Sequence, residues 1–316
     1  MKIAVLDAAT LGDDLDLSPL SEWGEVSVYP TTAVTEAEAR VKDADVIVIN
    51  KFRCNAESLR GALALRLICV AATGFDNIDL SYCRESGIAV CNVVGYSTHS
   101  VAQLTLAMVL SLSTKLKEYD SYAKSGAYTR SGAANAVSPV YHELNGKTWG
   151  VFGFGNIGKQ VARVAEAMGC RVLVCKRKPA ADYPCVSFEE LCKESDILTL
   201  HSPLNDQTRG ILNKEKLSLM KKDAILVNVA RGAVVDEAAV AEAVKNGTIG
   251  AFGCDVYSAE PYPVGHPYES LADRDNVILT PHMAWGAYEA RERCLAEICE
   301  NIKVFFEGGT RNRVDL

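Results

Sequence analysis

Three polar side chains of different chemistry each follow an apolar run in the second half of the chain. Arg231 comes after "AILVNVA", Glu260 after "GAFGCDV" and His282 after "NVILTP". Arginine offers a planar fork to a carboxylate or polarised carbonyl, histidine transfers protons near neutral pH, and a nearby carboxylate keeps a histidine protonated. If the runs are parallel strands, their carboxyl ends share one edge of a sheet. This pattern predicts a catalytic acid/base site.

A glycine-rich turn precedes these runs. "GFGNIG" follows the apolar run "TWGVF" and opens a helical pattern that ends at Gly169. Such glycines allow a tight turn, close approach of the backbone to a pyrophosphate and close helix packing, and the helix N-terminus stabilises the negative charge. An ordinary strand-to-helix turn is the alternative. The context favours a dinucleotide-binding site that comprises Gly153, Gly155, Asn156, Ile157 and Gly158.

Each strand-end residue also has a structural interpretation. Arg231 is compatible with a surface ion pair, Glu260 with a solvated loop acid and His282 with a hydrogen-bonded loop histidine. Their joint occurrence beside a dinucleotide-binding motif favours catalysis. The remaining histidines lack such a pattern, so we expect structural roles for His99, His142, His201 and His266.

Three cations, Lys176 to Lys178, end the apolar run "RVLVC" in a chain whose net charge is −7. In a dinucleotide-binding fold the second strand ends beside the adenosine ribose, where an acid about 20 residues past the glycines binds the 2′-hydroxyl of NAD. Lys176 occupies that place, and Lys176 and Arg177 can both donate hydrogen bonds to a 2′-phosphate. The cluster predicts a preference for NADP(H), with NAD(H) usable; a solvated strand end is the alternative.

Short β-branched runs alternate with helical patterns along the whole chain. This alternation predicts an α/β protein with two doubly wound parallel-sheet domains. The predicted strands are residues 2–7, 26–30, 45–50, 67–72, 88–93, 148–155, 171–175, 196–200, 224–229, 250–256 and 276–280.

A long helical pattern from Ser97 to about Tyr122 interrupts the alternation. Ser100 and Gln103 fit a capping box, and apolar residues occupy most of the helix circumference. Burial between domains or against another subunit is therefore expected. Because segment 125–139 is too polar and rich in small residues to pack by itself, we expect a homodimer. A final helix is predicted from about Ala287 to Phe306.

Composition limits the functional classes. The 316 residues are 48% hydrophobic, enough for two cores, and the negative net charge disfavours a nucleic-acid partner. The 11 cysteines are scattered without CxxC spacing, which predicts buried, reduced thiols and no metal site. No run reaches the roughly 18 apolar residues of a membrane helix, and the N-terminal run is too short for a signal peptide. We expect a cytoplasmic protein without a membrane partner.

An ordered set of segments resembles the D-2-hydroxyacid dehydrogenase family: "AATGFDNID" (71–79), "GYSTHSVAQLTLAMVLSL" (95–112), "GFGNIG" (153–158), "LHSPLNDQTRGILN" (200–213), "VNVARGAVVDEAAV" (227–240), "DVYSAEPYP" (255–263) and "TPHMAWGAYEARER" (280–293). The likeness spans almost the whole chain. "GYST", "SVAQ" and "PHMAW" are most similar to the glycerate dehydrogenase or hydroxypyruvate reductase branch. The resemblance implies a Rossmann dinucleotide-binding domain over 99–287 and a flavodoxin-like substrate domain over 1–98 and 288–316.

The resemblance also implies a reaction: NAD(P)H reduces a small 2-keto acid, such as hydroxypyruvate or glyoxylate, to the D-2-hydroxy acid, or the reverse. Arg231 would bind the substrate carboxylate and carbonyl, His282 would be the acid/base, and Glu260 would orient the histidine. Glu260 excludes the formate dehydrogenases, which have glutamine there. Substrate contacts would also come from Lys51, Thr73 and Gly74. Cofactor contacts would also come from Pro203, Thr208, Ala230 and Asp255.

Two alternatives to this function stay open. A reductase of bulkier 2-keto acids would need the loops near Lys51, Phe52 and Phe75 to admit a larger side chain. A dinucleotide-sensing corepressor of the same fold can retain the same three strand-end residues. Turnover of hydroxypyruvate distinguishes an enzyme from such a binding protein.

Overall fold

The computed structural model describes residues 1–176 and 182–316. These residues form two compact units, the first comprising Met1–Ser97 and Gly286–Leu316 and the second Thr98–Trp285. Lys176 of the cationic cluster lies within the described chain, whereas Arg177 lies outside it.

A five-stranded parallel sheet forms the centre of the first unit. Its order is β2-β1-β3-β4-β5, the flavodoxin-like arrangement that was predicted. Both β3 and β4 are buried along their whole length, which is why "VIVI" and "LICV" are continuous apolar runs instead of alternating ones. The strands are β1 (Lys2–Val5), β2 (Glu25–Val28), β3 (Val46–Ile49), β4 (Leu67–Val70) and β5 (Ala89–Cys91).

The second unit contains a six-stranded parallel sheet in the order β11-β10-β9-β8-β6-β7. After β7 the chain returns to the other side of β6 to form β8, so the topological switch point lies between the carboxyl ends of β6 and β8. The predicted doubly wound class is therefore confirmed for both units. The strands are β6 (Thr148–Phe152), β7 (Arg171–Cys175), β8 (Ile197–Leu200), β9 (Ile225–Asn228), β10 (Ala251–Cys254) and β11 (Val277–Leu279).

Helices cover the sheets in both units. Those of the first unit are α1 (Val34–Val41), α2 (Leu80–Glu85) and α10 (Tyr288–Phe306). Those of the second unit are α3 (Thr98–Ser113), α4 (Leu116–Lys124), α5 (Ala127–Ser131), α6 (Asn156–Ala167), α7 (Phe188–Glu194), α8 (Lys214–Ser218) and α9 (Glu237–Lys245).

The prediction that a helix joins successive strands is wrong at two connections of the first unit. Two short 3-10 segments join β1 to β2, because Gly12 at φ 91 ends the first of them and Pro19 lies in the first turn of the second. Turns join β3 to β4, where the Asn55 side chain accepts hydrogen bonds from the N–H groups of Glu57 and Ser58. Local turn chemistry thus replaces the helix at both places.

The long helix predicted from Ser97 to Tyr122 is two helices, α3 and α4. Lys115 adopts a left-handed conformation at φ 56 and ends the continuous hydrogen-bond ladder. The predicted capping box is also wrong, because the helix begins at Thr98 and the Ser100 hydroxyl instead donates to the Ala284 carbonyl at 2.5 Å. The buried face of α3 packs within the second unit against α6 and β9.

All eleven cysteines are unpaired thiols, and most are buried. Burial raises the pKa of Cys192 to about 12 and that of Cys175 to about 11, so these side chains stay protonated at neutral pH. Within residues 1–176 and 182–316, no group of three histidine, cysteine or acidic side chains could hold a metal ion. Among these described residues, none of the helices combines the length and the hydrophobicity that a membrane span requires.

Candidate active site

The three strand-end residues follow three neighbouring strands. Arg231 lies in the loop after β9, Glu260 in the loop after β10 and His282 just after β11. These strands are consecutive in the sheet and parallel, so their carboxyl ends lie side by side. The sheet order therefore brings the loops of all three residues to one edge of the second unit.

Glu260 and His282 form a direct pair. Glu260 Oε2 lies 2.5 Å from His282 Nδ1, and Oε1 accepts the Tyr257 N–H at 3.1 Å. The two side chains are 26% and 21% exposed, so the pair is accessible but not fully solvated. Because the carboxylate occupies Nδ1, a proton exchanged with a substrate must pass through Nε2.

The backbone of His282 is strained, and Asp255 holds it in place. His282 has φ 53, a conformation that costs a residue with a side chain about 1–3 kcal/mol and persists only where its surroundings fix it. The fully buried Asp255 carboxylate accepts the N–H groups of Met283 and Ala284, both at 2.9 Å, and the Thr280 hydroxyl at 2.5 Å. Burial raises the pKa of Asp255 against the opposing effect of these hydrogen bonds. Asp255 thus fixes the turn that sets the orientation of His282.

Arg231 is positioned by its neighbours in the chain. The buried Asn228 side chain donates to the Arg231 carbonyl at 3.0 Å and accepts the Ala230 N–H at 3.1 Å, while Arg231 Nη1 donates to the Ala230 carbonyl at 2.8 Å. At Gly232, an added Cβ would lie 1.9 Å from the Tyr257 carbonyl carbon and 2.1 Å from the Ser258 nitrogen. The backbone after Arg231 therefore contacts the loop that carries Glu260.

The glycine-rich turn has the geometry of a dinucleotide site. Gly153 has φ 92, and a Cβ there would lie 2.5 Å from the Ser202 nitrogen, so only glycine fits this turn. A Cβ on Gly158 would lie 2.1 Å from the Gly153 carbonyl oxygen, which shows how closely α6 packs. Gly155, by contrast, faces open space, as a backbone approached by a pyrophosphate must. Asn156 and Ile157 belong to the first turn of α6, where backbone N–H groups have no partner within the helix.

Lys176 lies beside this turn. It follows Cys175, whose carbonyl accepts the Gly153 N–H at 2.9 Å, and its ammonium is 5.6 Å from the centre of the Phe154 ring. In the loop after β8, Pro203 is exposed, whereas the Thr208 hydroxyl donates to the Pro203 carbonyl at 2.7 Å. Thr208 thus holds the shape of that loop.

The expected substrate residues of the first unit lie on the loops after β3 and β4. Asp7, which follows β1 and is buried, accepts the N–H groups of Lys51 at 2.6 Å and Phe52 at 2.8 Å. Thr73 precedes Gly74, and its hydroxyl donates to the Val93 carbonyl at 2.8 Å. Asp7 was missed by the sequence analysis, although a charged residue at the end of the apolar run "IAVL" was the signal for it.

Two other histidines are unsuited to acid/base chemistry. Both ring nitrogens of His201 are buried and have no hydrogen-bond partner among the described residues, and burial lowers the pKa of His201 to about 3. The His201 ring therefore carries no charge at neutral pH. His266 Nδ1 accepts the Tyr268 N–H at 3.2 Å and Nε2 contacts Glu237 at 3.1 Å, so its two nitrogens are engaged. Glu237 was also missed, because an acid in the first turn of a helix is unremarkable by itself.

A family model, curated relatives and a solved structure all relate this chain to dehydrogenases and reductases of 2-hydroxy acids. The model for the D-isomer specific 2-hydroxyacid dehydrogenase NAD binding domain matches residues 106–284. A hydroxypyruvate reductase of Blautia hydrogenotrophica is 33% identical over the full length of both chains, and a glycerate dehydrogenase of Methylorubrum extorquens is 33% identical over 99% of each. The crystal structure of a D-lactate dehydrogenase from Aquifex aeolicus, complexed with NAD and lactic acid, aligns with a TM-score of 0.88 and 31% identity over 100% of this chain and 99% of that one.

Proposed function

Because the chain belongs to the D-isomer-specific 2-hydroxyacid dehydrogenases, which are oxidoreductases with an NAD-binding domain, we propose that it reduces small 2-keto acids such as hydroxypyruvate and glyoxylate. The observation that carries the proposal is the 2.5 Å contact between His282 and Glu260 on loops beside that of Arg231. The product is the D-2-hydroxy acid, and the reverse reaction oxidises it.

Three residues of the second unit have separate roles in the proposed reduction. Arg231 binds the substrate carboxylate and polarises the carbonyl, because its planar fork matches both oxygens. His282, protonated at both nitrogens, donates the Nε2 proton to the developing alkoxide. Glu260 stabilises the imidazolium through Nδ1. In the first unit, the Lys51 loop and the backbone amides of Thr73 and Gly74 are proposed to bind the substrate.

A reduced nicotinamide dinucleotide, when bound, supplies the hydride to the keto carbon. We propose that Gly153, Gly155 and Gly158 with the first turn of α6 hold its pyrophosphate, since the open space at Gly155 and the tight packing at the other two glycines fit that group. Additional proposed contacts come from Lys176, Arg177, Pro203, Thr208, Ala230 and Asp255. Asp255 already accepts three donors, so about one of the four lone-pair sites of its carboxylate remains for the carboxamide.

A panel of 2-keto acids tests the proposed substrate class. We expect hydroxypyruvate and glyoxylate to be reduced with a higher kcat/KM than phenylpyruvate, measured by the consumption of NADH and NADPH in parallel. The opposite order would assign the protein to the reductases of bulkier substrates. Dinucleotide binding without turnover of any 2-keto acid would instead indicate a sensing protein.

We further propose a preference for NADPH. Lys176 lies beside the glycine-rich turn, and charge-assisted hydrogen bonds contribute about 1.5–3 kcal/mol each, or roughly 10- to 150-fold in affinity. Wild type should therefore show a higher kcat/KM with NADPH than with NADH, and the Lys176→Asp, Arg177→Ala double variant should lose this preference. Lys214→Asp, which alters an exposed lysine paired with Glu242, serves as the charge control. A wild-type preference for NADH would refute the proposal.

A homodimer is the proposed assembly. The segment from α4 to residue 141 exposes several large apolar side chains: Leu116, Tyr128, Val137, Val140 and Tyr141. We infer that a second copy covers this segment, because apolar side chains concentrated in one exposed segment are typical of an interface. Light scattering should give twice the 34.1 kDa of a single chain, and a particle of one chain mass would contradict the dimer.

A further inference from the structure

Glu260 lies in the exposed part of its loop. The loop joins β10 to the 3-10 segment Pro267–Leu271, and residues 258–261 are all exposed. Exposed residues gain little from packing, so hydrogen bonds decide how well this part of the loop is held. A carboxylate that must stay within 2.5 Å of His282 needs such an anchor.

One carboxylate, that of Glu237 at the start of α9, holds this loop at two points. Glu237 Oε1 accepts the Ser258 N–H at 2.9 Å, and Oε2 accepts the Ser258 hydroxyl. Oε2 also lies 3.1 Å from His266 Nε2 near the other end of the loop. The Glu237 and His266 side chains are only 11% and 5% exposed, so water competes little with these contacts.

The hydrogen bonds at His266 define which atom is the donor. Nδ1 accepts the Tyr268 N–H at 3.2 Å, so the proton of the ring lies on Nε2 and points to Glu237. Three donors therefore converge on one carboxylate, from Ser258 and from His266. Hydrogen bonds to a charged acceptor are about twice as strong as those between neutral groups.

The residue next to Ser258 connects this anchor to the proposed catalytic pair. The Tyr257 N–H donates to Glu260 Oε1 at 3.1 Å, and the Tyr257 hydroxyl donates to the Thr280 carbonyl at 2.9 Å, two residues before His282. Tyr257 is buried and contacts the segments of both partners, so it connects them to Ser258, the next residue in the chain. The hydrogen bonds of Glu237 go to Ser258 and His266, so Glu237 acts on the pair through Tyr257.

We propose that Glu237 is a positioning residue, whose contacts with Ser258 and His266 hold the loop that places Glu260 against His282. The assignment rests on the proposed function for its catalytic meaning, since His282 is taken as the acid. The part of the proposal that concerns the loop and the contact between Glu260 and His282 does not depend on any substrate.

Two substitutions and one control test the proposal. Glu237→Ala removes all three contacts, whereas Glu237→Gln keeps an amide oxygen that can accept one of the donors. Glu242→Ala is the matched control, because Glu242 lies on the same helix and its exposed carboxylate pairs with Lys214 at 3.3 Å. Ser258→Ala, which removes the hydroxyl contact alone, keeps the test available if Glu237→Ala does not fold.

The first readout needs no substrate. A histidine Nδ1–H shared with a carboxylate gives a strongly downfield proton resonance, which His282→Gln assigns by its disappearance. This resonance should be lost or broadened in Glu237→Ala, weakened in Glu237→Gln and Ser258→Ala, and unchanged in Glu242→Ala. An unchanged resonance in folded Glu237→Ala, or in Ser258→Ala if only that variant folds, would overturn the proposal.

The second readout is turnover. A shift of about 1 Å at a catalytic group costs up to roughly 10²-fold, so kcat of Glu237→Ala should fall by about 10-fold or more while KM for the dinucleotide stays nearly constant. Partial recovery in Glu237→Gln supports positioning. A lower melting temperature with wild-type kcat would show a purely structural role and refute it. If wild type reduces no 2-keto acid but the resonance responds as expected, the proposed function fails and the positioning of the pair stands.

Discussion

Replacement of His282 by glutamine should lower kcat by roughly 10²-fold or more, the usual contribution of a general acid. Glutamine is similar in size and can still donate a hydrogen bond to Glu260, but it cannot deliver a proton to an alkoxide. Because Arg231 and the glycine-rich turn are untouched, KM for the keto acid and the dinucleotide should change far less than kcat. Steady-state kinetics with hydroxypyruvate and both dinucleotides measures the effect.

His142→Gln is the control for this substitution, since His142 is exposed and lies outside the candidate site. Its kcat should equal that of wild type. A His282→Gln enzyme with near wild-type kcat would remove His282 from the role of acid. The remaining histidine that follows a strand of the same sheet, His201, could not replace it, because burial lowers the pKa of His201 to about 3.

Gly232→Ala should damage both stability and turnover. The new Cβ would meet backbone atoms of Tyr257 and Ser258 at 1.9–2.5 Å, and backbone cannot rotate away as a flexible side chain can. Overpacking of this kind costs about 1–3 kcal/mol, or a fall of several degrees in melting temperature. The loop that carries Glu260 must move away from Arg231, so we expect kcat to fall by roughly 10- to 100-fold.

Gly150→Ala separates these two effects. Gly150 lies within β6, and a Cβ there would lie 2.1 Å from Ser195 Oγ and 3.1 Å from the Leu191 side chain, away from the three loops of the candidate site. It should lower the melting temperature while kcat per folded enzyme is retained. Equal kcat in Gly232→Ala and wild type, measured below the melting transition, would show that the contact does not position the pair.

Much of the architecture was predictable because it depends on local pattern. Strands buried on both faces, such as "VIVI" in β3 and "LICV" in β4, must be apolar throughout, and helices must separate most parallel strands. All eleven predicted strands are present in the structure. The helix break at Lys115 was not predictable, since "STKLKE" contains neither glycine nor proline.

The sequence by itself determined which residues could do chemistry, because Arg231, Glu260 and His282 each follow a strand and parallel strands in a doubly wound sheet end at one edge. The tertiary structure alone decided how the residues of the candidate site and their loops are held. Asp255 contacts Met283, which lies 28 positions later in the chain. Glu237 contacts Ser258 and His266, which lie 21 and 29 positions later. Asp7 contacts Lys51, which lies 44 positions later. Contacts this distant leave no periodic trace in the sequence, since any buried carboxylate that meets N–H groups from another loop satisfies the same local pattern.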